Sequence, residues 1–173
     1  MGMKKCHCDA NLYWFRTLKN CKFKRSLNFV GFMMNQYFFE DMKTGQSESL
    51  SKTVTAEMIE LFAAVSGDNN PLHLDADYAA TSRFKERIAH GALSSSFISA
   101  VLGTLLPGIG AIYLSQSVRF LAPVKIGDTV KATATVAHLN AEKNKVQLKT
   151  ACYVGERQVV CGEAEIYVPG RTS

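Results

Sequence analysis

The chain has 173 residues, of which 47% are hydrophobic and 20% are charged, a composition typical of one globular domain with a sizeable core. The formal net charge of +5 is concentrated in residues 1–33, which hold seven basic residues and one acidic residue. The rest of the chain is therefore near neutral, which argues against nucleic-acid binding as its function. The five cysteines are odd in number and lack a framework spacing, so they favour free thiols over a disulfide scaffold.

Residues 1–33 differ in character from everything after them. They are basic and show no clear periodicity, so we predict a disordered or non-domain N-terminal extension, followed by one domain over residues 34–170. No continuous apolar stretch marks a secretory signal, whereas the basic character leaves a mitochondrial presequence open beside a cytoplasmic location. Cys6, His7 and Cys8 resemble half of a metal site, but no second ligand pair follows at a fitting spacing, so no metal is predicted.

The first predicted elements enclose a segment rich in turn-forming residues. Weak alternation predicts a strand over residues 47–54, and apolar residues at helical spacing predict a helix within residues 55–67. The turn formers here are Gly67, Asn69, Asn70 and Pro71, so residues 68–73 are predicted to be an ordered loop. A short helix should follow, capped by Asp75 or Asp77.

The second half of the chain predicts one long helix and then a series of strands. The helix is predicted over residues 91–106, inside the longest apolar run of the chain. Serine and threonine residues interrupt that run, so a buried core helix fits it better than a membrane span. Four strands are predicted next, over residues 111–122, 129–139, 146–154 and 158–168. The order of elements indicates an α+β domain in which the long helix lies across an antiparallel sheet.

Two segments carry residues whose side chains or main-chain groups could take part in catalysis. Asp68 and His73 lie five positions apart across the turn-rich segment, where a carboxylate and an imidazole can act on one water as a general acid/base pair. Gly91 opens the long helix, and the first N–H groups of a helix can stabilise a developing oxyanion. These residues favour an enzyme that acts on a polarised carbonyl. Each also has a structural alternative: Asp68 as a cap, His73 as a hydrogen-bonded core residue and Gly91 as a close-packing glycine.

Residues 62–79, with the sequence FAAVSGDNNPLHLDADYA, resemble the hydratase 2 signature of the MaoC-like dehydratases. The resemblance is closest to the (R)-specific enoyl-CoA hydratases. Residues 88–91 (IAHG), 112–117 (IYLSQS) and 123–128 (PVKIGD) are also similar to family segments. It covers roughly residues 37–169, and its motif is long and ordered, so we treat it as a specific signal.

The resemblance implies a single hotdog fold, in which an antiparallel sheet wraps around the long helix, and a homodimer whose sheets join. It implies reversible hydration of trans-2-enoyl thioesters to (R)-3-hydroxyacyl thioesters. Asp68 and His73 would activate the water, the N–H of Gly91 would polarise the thioester carbonyl, and Ser99 would orient Asp68 by a hydrogen bond. Asn70 would support the loop, with a structural role favoured. No metal or redox cofactor is expected, because the thioester already makes the β-carbon electrophilic.

The expected substrate is an acyl-CoA or acyl carrier protein thioester, with no nucleic acid or membrane as partner. The phosphates of the carrier need cations, for which four residues are candidates: Arg83, Lys85, Arg87 and Arg119. Two alternatives remain open from the sequence. One is a hotdog acyl-thioester hydrolase, in which water attacks the carbonyl carbon, and the other is a non-catalytic protein that binds acyl thioesters.

Overall fold

The computed structural model describes residues 34–172, so the predicted N-terminal extension lies outside the described residues. A 3₁₀ turn at Phe39–Asp41 precedes the main elements. The strands are β1 (Ser47–Thr53), β2 (Ile112–Phe120), β3 (Thr129–Asn140), β4 (Lys145–Val154) and β5 (Arg157–Tyr167). The helices are α1 (Ala56–Ser66), α2 (Pro71–Leu74), α3 (Ala76–Thr81) and α4 (Gly91–Thr104).

The five strands form one sheet in the order β1-β3-β4-β5-β2, and every neighbouring pair is antiparallel. Tight connections join β3 to β4 and β4 to β5, as the predicted turns between these strands require. β1 and β2 are the edge strands, so each leaves one side of its backbone without a partner strand in the described chain. The α+β class and the antiparallel sheet predicted from the sequence are confirmed.

Helix α4 packs across the sheet and supplies the centre of the core. Its buried apolar residues fall in pairs one turn apart, which places them on one face: Phe97, Ile98, Val101 and Leu102. β3 faces this helix with alternating buried residues: Val130, Ala132, Ala134 and Val136. The two alanines lack bulk, so they leave room for the helix over the middle of the sheet. The hotdog architecture that the resemblance implies is confirmed.

The apolar run that contains α4 is core packing, as predicted. Among residues 34–172, no helix combines the length and apolar character needed to cross a membrane. Most of the predicted boundaries of the helices and strands lie within two residues of the observed ones, and α4 ends at Thr104 rather than at residue 106. Asp75 is the residue that caps α3, because its Oδ1 atom accepts the N–H groups of Asp77 and Tyr78.

Cys152 and Cys161 lie on adjacent strands but in different environments. Cys152 is fully buried against α4, where its Sγ atom contacts the carbonyl oxygen of Ser94 at 3.4 Å, and Cys161 is only half-buried. Burial raises the pKa of the Cys152 thiol to about 12. Fewer than about one Cys152 thiol in a thousand is therefore ionised near pH 8, and the thiolate is the reactive form.

We therefore expect Cys152 to resist iodoacetamide near pH 8 in the folded protein and to react at the ordinary rate once the protein is unfolded in guanidinium. Peptide mass spectrometry of both samples measures the labelled fraction at this residue. Comparable labelling of Cys152 in the folded and unfolded samples would contradict its burial in the core.

Candidate active site

The first candidate site residue, Asp68, follows the end of α1. Thr55 caps the start of this helix by accepting the N–H of Met58, and Gly67 terminates it with a left-handed backbone (φ 78°). A residue with a side chain would be strained at that φ, so glycine allows the sharp reversal that follows. Asp68 comes directly after the reversal, and its Oδ1 atom accepts the N–H of Asn70 at 3.3 Å. The predicted caps of α1 are confirmed, and Asp68 is the first residue after the C-terminal cap.

The prediction of a loop over residues 68–73 is wrong in its second half. Pro71–Leu74 forms one turn of helix, α2, which begins with proline at its first position. Asn70 is its N-cap, since its Oδ1 atom accepts the N–H of Leu72 at 3.0 Å. The structural role favoured for Asn70 agrees with this bond. The helical turn was missed because four residues are too few to show a helical period.

His73 lies in α2, half-buried, and its ring is held in a defined orientation. Its Nδ1 atom lies 2.8 Å from the carbonyl oxygen of Ile88. Because a carbonyl oxygen only accepts, Nδ1 must carry the proton, and Nε2 is left for chemistry. The His73 ring packs on the ring of His90, with centroids 3.8 Å apart. His73 thus presents a single nitrogen to the site.

His90 also lies at the site, although the sequence analysis gave a role only to its neighbour Gly91. It is 2% exposed, and its Nε2–H donates to the main-chain oxygen of Asp68 at 2.9 Å. The same nitrogen lies 4.0 Å from a carboxylate oxygen of Asp68, whose side chain is 54% exposed. The Nδ1 atom of His90 is buried without a hydrogen-bond partner. Its place before Gly91 was the only signal in the sequence that could have suggested this.

Asp68, His73 and His90 converge on a small space. One ligand-type atom from each residue lies within 4.8 Å of the other two. Such a separation lets one water accept or donate a hydrogen bond of about 2.8 Å to both a carboxylate and an imidazole. A carboxylate with two imidazoles is also a donor set that suits a divalent cation. In the described chain, two of the four imidazole nitrogens are already engaged with main-chain carbonyls.

Gly91 is the first residue of α4, and the start of this helix has no side-chain cap. Among residues 34–172, no acceptor takes the N–H of Gly91, whereas the carbonyl of His90 accepts from the N–H groups of Leu93 and Ser94. A Cβ atom at Gly91 would lie 2.8 Å from the ring of Phe120, so a larger residue at this position would displace that ring. The N–H is therefore available to a ligand, and the structural alternative for Gly91, close packing, holds as well.

A cavity of about 360 Å³ lies beside these groups. His73 and Gly91 both line it, and its other walls are mainly apolar, including Phe84, Phe120 and Val160. Among the described residues that line it, Arg83 is the only arginine or lysine. A mostly apolar cavity with a few converging polar groups is the usual form of a small-molecule site. The predicted acid/base histidine and the predicted oxyanion glycine thus face one common space.

Ser99 lies elsewhere. Eight residues of α-helix separate it from Gly91, which is about 12 Å along the axis. It is exposed and lines a separate depression of about 110 Å³ with Gly103 and Tyr113. The hydrogen bond to Asp68 that the resemblance implied is not formed within the described residues, because more than two turns of α4 separate Ser99 from the end of the helix near Asp68.

The arginines that are candidates to bind the carrier phosphates lie in different parts of the structure. Arg83 lines the cavity, with its guanidinium 4.7 Å from the centroid of Phe84. Arg87 points inward and is 18% exposed, and its Nε–H donates to the carbonyl oxygen of His73 at 2.7 Å. Arg119 lines a different depression, together with Thr133 and other residues of the sheet. Of these three arginines, Arg83 alone borders the cavity.

The fold and the site define a hotdog-fold protein with a carboxylate and two imidazoles clustered beside the N-terminus of its central helix. The family model of the MaoC-like domain matches residues 39–157, and the chain belongs to this family. It is 57% identical over 135 residues to the (R)-specific enoyl-CoA hydratase of Rhodospirillum rubrum, a match that covers 78% of this chain and 94% of the relative. The resemblance seen in the sequence is confirmed.

Two further matches agree. The chain is 46% identical over 132 residues to the 3-hydroxybutyryl-CoA dehydratase of Methylorubrum extorquens, which covers 76% of this chain and 84% of the relative. The solved structure of the R-hydratase PhaJ1 from Pseudomonas aeruginosa superposes with a TM-score of 0.75 at 47% identity. That alignment covers 79% of this chain and 88% of PhaJ1.

Proposed function

We propose that this chain is an (R)-specific enoyl-CoA hydratase, a hydro-lyase that adds water reversibly to trans-2-enoyl thioesters in fatty-acid metabolism. The observation that carries the proposal is the convergence of Asp68 and His73 within 4.8 Å, with His73 and Gly91 on one cavity. The names of both curated relatives, a hydratase and a dehydratase of CoA thioesters, support the same reaction in its two directions.

The water is held between Asp68 and His73 in the proposed reaction. Asp68 accepts a proton from the water as the oxygen bonds to the β-carbon. The electron pair of the double bond moves to the α-carbon and is shared with the thioester oxygen. The proton then reaches the α-carbon through Nε2 of His73, the nitrogen that the bond to Ile88 leaves available. Dehydration follows the same steps in reverse.

Gly91 supplies the oxyanion donor. Negative charge develops on the thioester oxygen during the attack, and a fixed N–H aimed at that oxygen stabilises the transition state more than the ground state. The N–H of Gly91 is preorganised, because the helix behind it is buried in the core. The helix also places its positive dipole end at the cavity.

The carrier of the acyl group is proposed to be coenzyme A, with acyl carrier protein as the alternative. Both carry phosphate, and Arg83 is the cation that borders the cavity. Its guanidinium rests on the face of Phe84, where the ring attracts the cation. This assigns the phosphate contact to Arg83 rather than to Arg87 or Arg119.

A homodimer is proposed on the basis of edge strand β2. It carries exposed apolar residues along its length, including Ile112 (50% exposed), Leu114 (44%) and Phe120 (57%). A long apolar edge strand is prone to pair with another chain, and pairing between two copies about a twofold axis closes the edge. Joining two such edges in antiparallel fashion would extend the sheet from five strands to ten.

The cytoplasm is the proposed location, with mitochondria as the alternative if residues 1–33 act as a presequence. The basic composition of that segment is the only feature that bears on the choice.

The Asp68→Asn and His73→Asn variants should each lower kcat about 10²–10⁴-fold with crotonyl-CoA, because one removes the base and the other removes Nε2. Asparagine at position 73 keeps an N–H near the Nδ1 position, so the bond to Ile88 can persist. The loss of enoyl absorbance measures the rate, and a thiol reagent detects hydrolysis in the same samples.

Rapid hydration by the native protein without free thiol supports the hydratase. Stoichiometric release of thiol would replace it with the hydrolase alternative. Native protein that binds crotonyl-CoA without turnover of this or of longer enoyl-CoA substrates would replace it with the non-catalytic alternative. Near-native rates in either variant would remove that residue from the proposed chemistry.

The oxyanion role of Gly91 can be tested with a matched pair of variants. Gly91→Ala and Gly91→Pro both add a Cβ that presses on Phe120, but only proline removes the N–H. Proline is tolerated at the first helical position, so the helix should persist. We expect kcat of the proline variant to fall about 10²–10³-fold below that of the alanine variant. Equal kcat values in stopped-flow or steady-state assays would show that this N–H is not the donor.

The dimer interface can be tested by charging the β2 edge. The Ile112→Lys/Leu114→Lys double variant should elute as a monomer, because paired lysines would repel across the twofold axis and lose apolar burial. Leu61→Lys on α1 is the control, since Leu61 is 64% exposed on a different element. Light scattering coupled to size exclusion gives the mass. A dimer that survives the β2 change but not the control would place the interface on α1.

A further inference from the structure

Three hydrogen bonds link the two segments that carry the site. His73 Nδ1–H donates to the carbonyl of Ile88 (2.8 Å), Arg87 Nε–H donates to the carbonyl of His73 (2.7 Å), and His90 Nε2–H donates to the carbonyl of Asp68 (2.9 Å). Each bond runs from a side chain to the main chain of the opposite segment. The main-chain carbonyls of Asp68 and His73 are thus each held by a donor from residues 87–90.

We infer that Arg87 and His90 are positioning residues that fix the Asp68–His73 segment against the start of α4, an inference that rests on the proposed roles of Asp68, His73 and Gly91. Neither residue needs to touch the substrate for this. Their hydrogen bonds fix the main chain of Asp68 and His73, from which the proposed base and proton relay project. A displacement of about 1 Å of such groups can cost about 10²-fold in rate.

His90 is suited to this role by its burial. It is 2% exposed, so water is excluded from the donor side of its part-buried hydrogen bond to Asp68. The rings of Phe62 and His73 lie against it, with centroids at 5.0 Å and 3.8 Å. Donation from Nε2 also fixes its tautomer, because the carbonyl of Asp68 can only accept. His90 therefore fixes both the main-chain carbonyl of Asp68 and the orientation of the His73 ring.

Arg87 holds the other end of the segment. Its guanidinium is mostly buried and pairs with Glu60 of α1, with 3.6 Å between Nη2 and Oε1. The contact to the carbonyl of His73 comes from Nε, the nitrogen closest to the main chain, so it depends on the length of the side chain as well as on its charge. Arg87 thereby ties α1, α2 and the segment before α4 to one another.

The segment that supplies these donors is itself anchored to the fold. The N–H of Ala89 donates to the carbonyl of Val124 at 2.8 Å, and Ile88 forms a β-bridge with Lys125. Gly91 follows directly and begins α4, whose apolar face is buried. Residues 87–90 therefore hold the proposed acid/base pair, Asp68 and His73, at a fixed position relative to the proposed oxyanion donor, Gly91.

The test uses pairs of variants that keep or remove the donor. In His90→Gln the amide nitrogen can occupy the place of Nε2 and donate to Asp68, whereas His90→Leu cannot donate. We expect His90→Leu to lower kcat for crotonyl-CoA hydration about 10–100-fold while KM changes less than about threefold, as for other residues that orient catalytic groups. His90→Gln should restore most of this loss.

Arg87 provides a second, independent pair. In Arg87→Gln the amide nitrogen falls where Nε was, and in Arg87→Met a carbon replaces it at similar volume. The glutamine variant should keep more of kcat than the methionine variant, although neither keeps the charge. Thr150→Val is the control, because Thr150 is 3% exposed and loses its bond from Gln116 without touching the site. Thermal unfolding of all variants compares their stabilities.

A kcat that follows the presence of the donor at positions 87 and 90, at matched stability, supports the positioning role. Equal kcat in the donor and non-donor variants at both positions, with Asp68→Asn still inactive, would overturn it while leaving the proposed function intact. A fully active Asp68→Asn variant would overturn the inference, since there is then no base to position, and would remove Asp68 from the proposed chemistry. Only native protein that fails to hydrate enoyl-CoA substrates would overturn the proposed function. If His90→Leu does not fold, the Arg87 pair gives the same decision.

Discussion

The burial of α4 against the sheet is the constraint on which the rest of the molecule depends. Burying large side chains such as Phe97, Ile98 and Leu102 stabilises the fold by about 1.5–3 kcal/mol each. The small residues Ala132 and Ala134 of β3 allow the helix to lie close to the strands. Because packing of this kind fixes the axis of the helix, it also fixes the position of its first N–H group, at Gly91.

The proposed acid/base pair depends on that helix indirectly. Asp68 and His73 stand on short elements, α2 and the turn after α1, that bury little apolar surface of their own. Their position is set by hydrogen bonds to residues 87–90, which lead into α4. The carboxylate of Asp68 is partly exposed, whereas the ring of His90 is deeply buried. The buried residue thus holds the main chain of the more exposed one.

Several local features followed from the sequence because their causes are local. Thr55 and Gly67 delimit α1 through capping bonds between residues a few positions apart, and α4 shows the apolar content of a core helix. The turn of helix at Pro71–Leu74 did not follow, since one turn is shorter than the period that would reveal it. The end of α4 and the choice of Asp75 as cap became definite only with the backbone in place.

The sequence by itself determined the α+β class, the strands and the long helix and, through a long ordered motif, the family, and it singled out Asp68, His73 and Gly91 as candidate site residues. It could do so because capping, periodicity and motif spacing are properties of neighbours along the chain. Only the tertiary structure decided that Arg87 points inward, that His90 holds the carbonyl of Asp68, and that Ser99 lies away from both. The two hydrogen bonds join residues that are 14 and 22 positions apart, and the direction of a side chain across such a gap is set by packing rather than by the local sequence.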